Sequence, residues 1–302
     1  MKKILFLVVL IIVLPYLIIT LLVRDNQFEF QFVENMNIRV LRENGNIDLV
    51  PFEDYIVGVL AGEMPVSFEL EALKAQAVAA RSYAMSKMIE NYENEYDVAD
   101  TVRHQVYLDE DHLRNIWGNQ FYNRINRLRQ AVNETRLEYL SYNEQVAEAL
   151  YFSTSVGRTE YSEEVFLNKK PYLRSVDSSW DEISPAFEDS ATFSSKEFFE
   201  KLGLEYSNEL DIEIILTTST GRIRELKING TEFNGVDVRM KLGLRSNHFQ
   251  IKKNNKEIEI ATRGFGHGVG MSQWGAQAKA LKGYTYREIL AHYYTGTIIK
   301  KI

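Results

Sequence analysis

The chain contains no cysteine, which excludes disulfides, thiolate metal sites and a thiol nucleophile together. It has no His-Glu-x-x-His pair, and its five histidines, His104, His112, His248, His267 and His292, are scattered. A zinc enzyme is therefore not indicated, and neither metal nor cofactor is expected. No Gly-x-Ser-x-Gly elbow is present, so serine hydrolysis would rest on Ser153 or Ser155 meeting His267. The glycine-rich run at 264–270 is followed by no Gly-Lys-Ser/Thr, which argues against a phosphate-cradling loop. A cationic excess is missing as well. With a formal net charge of −7, the chain has no general field to draw nucleic acid, and no nucleic-acid partner is expected. Repeats and low-complexity segments are also absent.

What is there reads as a globular protein. The 302 residues are 45% hydrophobic and 25% charged, with 17 Tyr and 16 Phe, enough to bury a full core. Lys2 and Lys3 precede an apolar run from Ile4 to Val23, long enough at ~1.5 Å per residue to span a bilayer core of about 30 Å. Thr20 to Val23 lack the small residues of a signal-peptide cleavage site, so an uncleaved anchor is expected. The leading lysines predict the N-terminus inside and the body outside. The expected organisation is a cytoplasmic start and anchor at 1–24, a tether at 25–35 and a folded ectodomain at 36–302.

Within that body, Met36 to Leu41 and Asp48 to Val50 predict two strands around Asn44-Gly45-Asn46,. Tyr55, Ile56, Val59 and Leu60 fall at helical spacing, with Gly62 as the expected stop and Glu63 just past it. A second helix is predicted from Ser67, as its cap, to about Asn91, with Leu73, Ala77, Ala80, Ala84 and Met88 as a buried stripe. Residues 111–139 have helical spacing, 145–153 read as a strand, and 211–262 alternate like strands, with a turn at Asn229-Gly230. Gly264, Gly266, Gly268 and Gly270 alternate with Phe265, His267, Val269 and Met271, so an extended segment would have one face free for close approach. Ser272 should cap a helix through Leu281. Thr285 and Glu288 should form a capping box for the last one. The expected fold class is α+β, a single-pass N-terminal membrane helix followed by a mixed helix and sheet ectodomain.

Glu63 is the most informative acid. At a helix C-terminus the negative end of the dipole raises its pKa, an effect worth about 0.3–1 kcal/mol, and burial adds to it. Both favour the held proton that a general acid requires. Lys74 and Arg81 lie two turns apart on one face of the second helix. Lining a cleft, they would bind anionic or carbonyl groups and would lower the Glu63 pKa.

The run Tyr55-Ile56-Val57-Gly58-Val59-Leu60-Ala61-Gly62-Glu63-Met64-Pro65, the continuation from Glu71 to Ala84, and the run from Gly264 to Ala276 followed by His292-Tyr293-Tyr294 resemble the signature of the stage II sporulation protein D family. Gln105-Val106-Tyr107, the hydroxylated loop from Ser153 to Thr159, Pro171-Tyr172-Leu173 and Leu242 to Ser246 fit it too. The resemblance spans the whole expected ectodomain. It implies a lytic transglycosylase that cleaves peptidoglycan glycan strands during forespore engulfment, with Glu63 as the catalytic residue and Lys74 and Arg81 as cleft candidates. Gln105, Tyr107, Ser153, Ser155, Arg158, His267, Gln273 and Trp274 are the expected cleft wall. The implied setting is the cell membrane, with the ectodomain between the mother-cell and forespore membranes. The implied partners are peptide-stripped glycan strands, the sporulation amidase that strips them, and a membrane scaffold protein. Relatives named amidase enhancers share the motifs, so a non-enzymatic enhancer of an amidase is the alternative. Two departures stand out. Some relatives hold zinc with Cys and His just before Gln-x-Tyr, but Asp100 to His104 has no cysteine, and Val156 replaces a glycine of the hydroxylated loop.

Overall fold

The turn residues Asn44-Gly45-Asn46 close a hairpin. Gly45 takes φ +85°, and the Asn44 side chain accepts from the Asn46 N–H at 2.9 Å. The computed structural model describes residues 35–302 apart from Val102, Leu167 and Lys256. The hairpin pairs β1 (Asn37–Leu41) with β2 (Ile47–Pro51) in antiparallel register. Helix α1 (Phe52–Glu63) follows Pro51 directly and buries Tyr55, Ile56, Val59 and Leu60. Contrary to expectation, Gly62 does not stop it. The helix runs on to Glu63, and Met64 leaves it in an extended conformation. The reason for glycine lies elsewhere. A Cβ on Gly58 would stand 2.4 Å from the Tyr107 ring, and one on Gly62 would stand 2.8 Å from the Val106 carbonyl. Four residues apart, the two glycines share a helix face and let the 106–108 backbone lie against α1.

Helix α2 (Leu70–Glu90) is the centre of the body, with 14 of its 21 residues buried, the expected stripe among them. Ser67 does not cap it. Glu69 holds the cap position without a side-chain bond, and its N–H donates to the Gln277 side chain at 2.7 Å. The short strand β3 (Val98–Ala99) joins β1 in parallel. Helices α3 (Glu110–Trp117) and α4 (Phe121–Glu134) follow, and β4 (Glu138–Tyr142) then pairs with β5 (Gln145–Val146). The strand expected over 145–153 is divided, because the chain leaves β4 at β5 and reappears as β6 (Tyr151–Phe152) beside a different strand.

Residues 188–263 build a subdomain of their own. Strand β7 (Glu188–Ser194) leads into α5 (Ser195–Leu202), then β8 (Ile212–Thr217), β9 (Ile223–Ile228), β10 (Thr231–Asn234), α6 (Gly235–Leu242), β11 (Phe249–Asn254) and β12 (Glu257–Arg263). Two three-stranded sheets, ordered β10-β9-β8 and β11-β12-β7, enclose a cluster that includes Phe198, Phe199, Leu226, Ile228, Val238 and Ile260. Helix α6 interrupts a stretch that reads as strand throughout. Asn234 caps it by accepting from the Val236 N–H, and Gly243 ends it at φ +67°. The chain then returns to where it left, since Phe265 bridges Thr154. β13 (Met271–Ser272) pairs in parallel with β6. Helix α7 (Gln273–Leu281) is capped by Ser272, and α8 (Tyr286–Tyr293) starts with the Thr285 and Glu288 capping box, both as expected. β14 (Ile298–Lys301) closes the sheet against β4. Helices α1, α4, α7 and α8 all pack on α2, whose many alanines permit that close approach.

The mixed helix and sheet body agrees with the expected class, but the membrane part of the fold-class and localisation expectations requires correction. Among the described residues no helix is long and apolar enough to cross a membrane, so a single-pass membrane protein is not supported. The run from Ile4 to Val23 and the stretch at 25–34 lie outside the described residues.

Candidate functional site

Glu63 ends α1 partly exposed, with its carboxylate held by uncharged donors. The Val106 N–H donates to Oε1 at 2.9 Å, and the Gln273 amide donates to Oε2 at 3.4 Å. Burial raises its pKa above the ordinary 4.5, opposed by those two bonds,. The charge of Glu63 is felt at the hydroxyls of Tyr55, Tyr83 and Tyr151. Burial keeps all three protonated, with Tyr83 pushed up to about 12.

Gln105 organises two of these tyrosines. Fully enclosed, it accepts from Tyr55 at 3.0 Å and donates to Tyr151 at 2.9 Å and to the Ala80 carbonyl at 3.2 Å. Tyr107 stacks on Tyr55 with ring centres 5.2 Å apart. Gln105 and Tyr107 thus contact the tyrosines rather than Glu63. Sequence reasoning did not single out Tyr55, Tyr83 or Tyr151. Tyr55 and Tyr83 lie within the run from Tyr55 to Pro65 and its continuation to Ala84, which was the signal available.

The α7 end supplies the other wall. Gln273 reaches Glu63, and the Trp274 backbone N–H donates to the Ser153 carbonyl at 3.1 Å. The Trp274 ring meets Phe68 edge-on at 4.8 Å. Ser155 is fully buried and structural. Its N–H donates to Asp181 Oδ2 at 2.6 Å and its hydroxyl to the Ser178 carbonyl at 3.1 Å. Asp181 also accepts from Ser178 and Ser272, so this buried acid, absent from the sequence reading, ties the hydroxylated loop to the start of α7.

The glycine run is not a plain extended segment. Gly264, Gly266, Gly268 and Gly270 all take positive φ, from +74° to +101°. The close approach inferred from them is nevertheless real, because a Cβ on Gly270 would stand 1.9 Å from the Leu150 carbonyl. His267 is held between Phe152 and Phe166, and its Nδ1 accepts from the Val269 N–H at 3.1 Å. Burial, helped by the charges of Arg222 and Arg239, pushes its pKa down to about 4, so the ring is neutral. Neither Ser153 nor Ser155 bonds to it: Ser153 Oγ pairs with Thr154. His267, Tyr83, Tyr151, Lys87, Arg103 and Lys170 line part of a cavity of about 560 Å³. Glu63 is not in its lining and bears on it only through Tyr83 and Tyr151.

Three of the expected residues lie apart from this centre, bound elsewhere or exposed. Lys74 pairs with Glu71 at 2.8 Å and Glu134 at 2.5 Å. Arg81 is fully buried, bidentate on Glu53 at 3.0 and 2.7 Å, and donates to the Glu138 carbonyl. Arg158 is exposed beside Ser175. Among the described residues no group of three or more His, Asp or Glu is placed to hold a metal.

The family model described as Stage II sporulation protein matches residues 42–142. The chain is 41% identical over 263 residues to Stage II sporulation protein D of Bacillus subtilis (strain 168), covering 85% of this chain and 77% of that protein. Against the protein of the same name from Bacillus amyloliquefaciens it is 40% identical, covering 85% and 76%. A Bacillus subtilis (strain 168) protein named Amidase enhancer is 29% identical over 300 residues, covering 80% of this chain and 40% of that one. The chain belongs to the stage II sporulation protein D family.

Proposed function

We propose that the chain is a peptidoglycan lytic transglycosylase acting in forespore engulfment, and that it cleaves the β-1,4 bond between N-acetylmuramic acid and N-acetylglucosamine. Glu63 gives its proton to the glycosidic oxygen as the bond from C1 of the muramic residue breaks. The resulting carboxylate takes the proton of the C6 hydroxyl on the same residue while O6 bonds to C1. The acid is regenerated, no water is consumed, and the product carries a 1,6-anhydro end.

The observation that carries this reading is the environment of Glu63. Its carboxyl is desolvated enough to raise its pKa, and the groups that touch it, Val106 N–H and the Gln273 amide, are uncharged. Hydrolytic glycosidases use a pair of carboxylates about 5–9.5 Å apart. Of the acids near Glu63 in the chain, Glu53 is engaged by Arg81 and Glu71 by Lys74 and the Tyr286 N–H, while Asp54 and Glu69 are exposed. With one acid, an internal hydroxyl held close replaces an activated water. Gln273 orients Glu63, while Trp274, Ser153 and His267 contribute to the wall. Lys74, Arg81 and Arg158 are not assigned substrate contacts.

The second reading is a non-enzymatic enhancer of a cell-wall amidase, favoured by the similarity to the protein named Amidase enhancer. Purified full-length protein incubated with glycan strands freed of stem peptides separates the two. Release of soluble fragments with no amidase present supports the transglycosylase. Release only when an amidase is added supports the enhancer.

A further inference from the structure

A second groove of about 560 Å³ opens beside the chain segment that carries Glu63, lined by Ala61, Met64, Ser67, Trp117, Asn123 and Arg124, among others. Ala61 and Met64 flank Glu63 in the chain, so this groove and the acid share one short stretch of backbone. That stretch is fixed by Arg127, which itself lines the groove. Arg127 donates through Nε to the Val66 carbonyl at 2.9 Å and through Nη2 to the Phe68 carbonyl at 2.6 Å, while Phe68 backs onto Trp274.

The groove wall is unlike an ordinary solvated helix face. Trp117 is partly exposed, and the Arg124 guanidinium sits 5.8 Å from its ring centre. Arg124 makes no ion pair or hydrogen bond among the described residues, unlike Arg114 and Arg129 nearby, which both reach Glu110. Asn123 is exposed, and Ser67 does not cap α2. A flat aromatic face, a cation with free donors, an amide and a hydroxyl thus meet in one groove, whose lining includes Ala61 and Met64 but not Glu63. A pyranose ring presents an apolar face that stacks on indole, with hydroxyl and N-acetyl groups at its edge for hydrogen bonds. A muramic residue without its peptide adds a free carboxylate, which matches a guanidinium.

We infer that this groove is a saccharide-binding site on the chain segment that carries Glu63, in which Trp117 stacks a sugar ring and Arg124 takes the lactyl carboxylate of a peptide-free muramic residue. The inference rests on the transglycosylase reading for its ligand and deepens it by naming a second place where the strand is held.

Binding is tested without turnover, using full-length protein carrying Glu63→Gln and calorimetry with a peptide-free glycan hexasaccharide. Adding Trp117→Ala should weaken binding at least tenfold, and Trp117→Phe should recover most of it. Adding Arg124→Gln, at a side chain with no protein hydrogen bond to lose, should weaken the muramic oligomer severalfold more than an uncharged N-acetylglucosamine oligomer of equal length. Unchanged affinity in both Trp117→Ala and Arg124→Gln would overturn the subsite and leave the groove to a protein partner. Trp117-dependent binding in a protein whose wild type cleaves nothing would keep the subsite and reject the reaction.

Discussion

Arg222 Nε lies 3.1 Å from Glu160 Oε1, and neither side chain reaches solvent. The two come from different parts of the chain. Arg222 precedes β9 in the inserted subdomain, and Glu160 follows the hydroxylated loop. Together they clamp the glycine run: Arg222 Nη1 donates to the Gly266 carbonyl at 2.8 Å, and the Glu160 N–H donates to the Gly268 carbonyl at 2.7 Å. Burial pushes Glu160 up to about 7 against the attraction of Arg222, and pushes Arg222 down to about 10.

Removing one partner strands the other in a dry interior, which typically costs about 3–5 kcal/mol. Arg222→Met is expected to lower unfolding stability by that order in urea denaturation. The double substitution Arg222→Met with Glu160→Leu should recover a large part of the loss, because an apolar pair of similar volume has no charge to desolvate. A single substitution that leaves the urea midpoint unchanged would show that the clamp contributes nothing.

Gly270 and Gly283 make a matched comparison, with φ +83° and +86°. Alanine at Gly283 meets nothing within 4 Å, so it should cost only the left-handed conformation, about 1–2 kcal/mol. Alanine at Gly270 would drive a Cβ to 1.9 Å from the Leu150 carbonyl, and β6 would have to move away from β13. Urea titration of both variants is expected to show the larger loss at Gly270. Equal losses would mean that close packing of the run is unimportant.

These glycines also show what could be read from the chain. Alternating glycines signalled close approach, which is local chemistry, but not the positive φ that breaks the strand pattern. Gly62 looked like a helix stop because its actual partner, the Val106 carbonyl, belongs to a distant segment that periodicity does not reveal. Arg81 shared a helix face with Lys74 and read as a cleft candidate. Helix α2 proved buried on nearly every side, and Glu53, which neutralises Arg81, sits in another helix. Caps were legible at Ser272 and at Thr285 with Glu288, since their bonds span only three residues. Glu63 as a candidate was legible from motif and helix end together. The tyrosines that face it converge from α1, α2 and β6, a meeting that only the fold brings about.

If the chain cleaves as proposed, the pH dependence of cleavage follows from the raised pKa of Glu63. The acid must be protonated to donate, so activity should fall as pH rises through a midpoint above the ordinary 4.5,. His267, pushed down to about 4, should add no limb near pH 6.5. A plot of log kcat/KM against pH, measured with peptide-free strands, checks both points. An alkaline limb centred at or below 4.5 would remove the case for Glu63 as a desolvated acid.

The most direct measurement of the central claim is the chemical nature of the new glycan ends, read by mass spectrometry after digestion in heavy-oxygen water. With Glu63 as the acid and the C6 hydroxyl as the internal acceptor, wild-type protein should yield 1,6-anhydro-muramic ends carrying no label. Glu63→Gln should release nothing, since an amide cannot donate the proton. Reducing-end muramic acid carrying heavy oxygen would contradict the account, because it would demonstrate hydrolysis and require a second carboxylate beside Glu63.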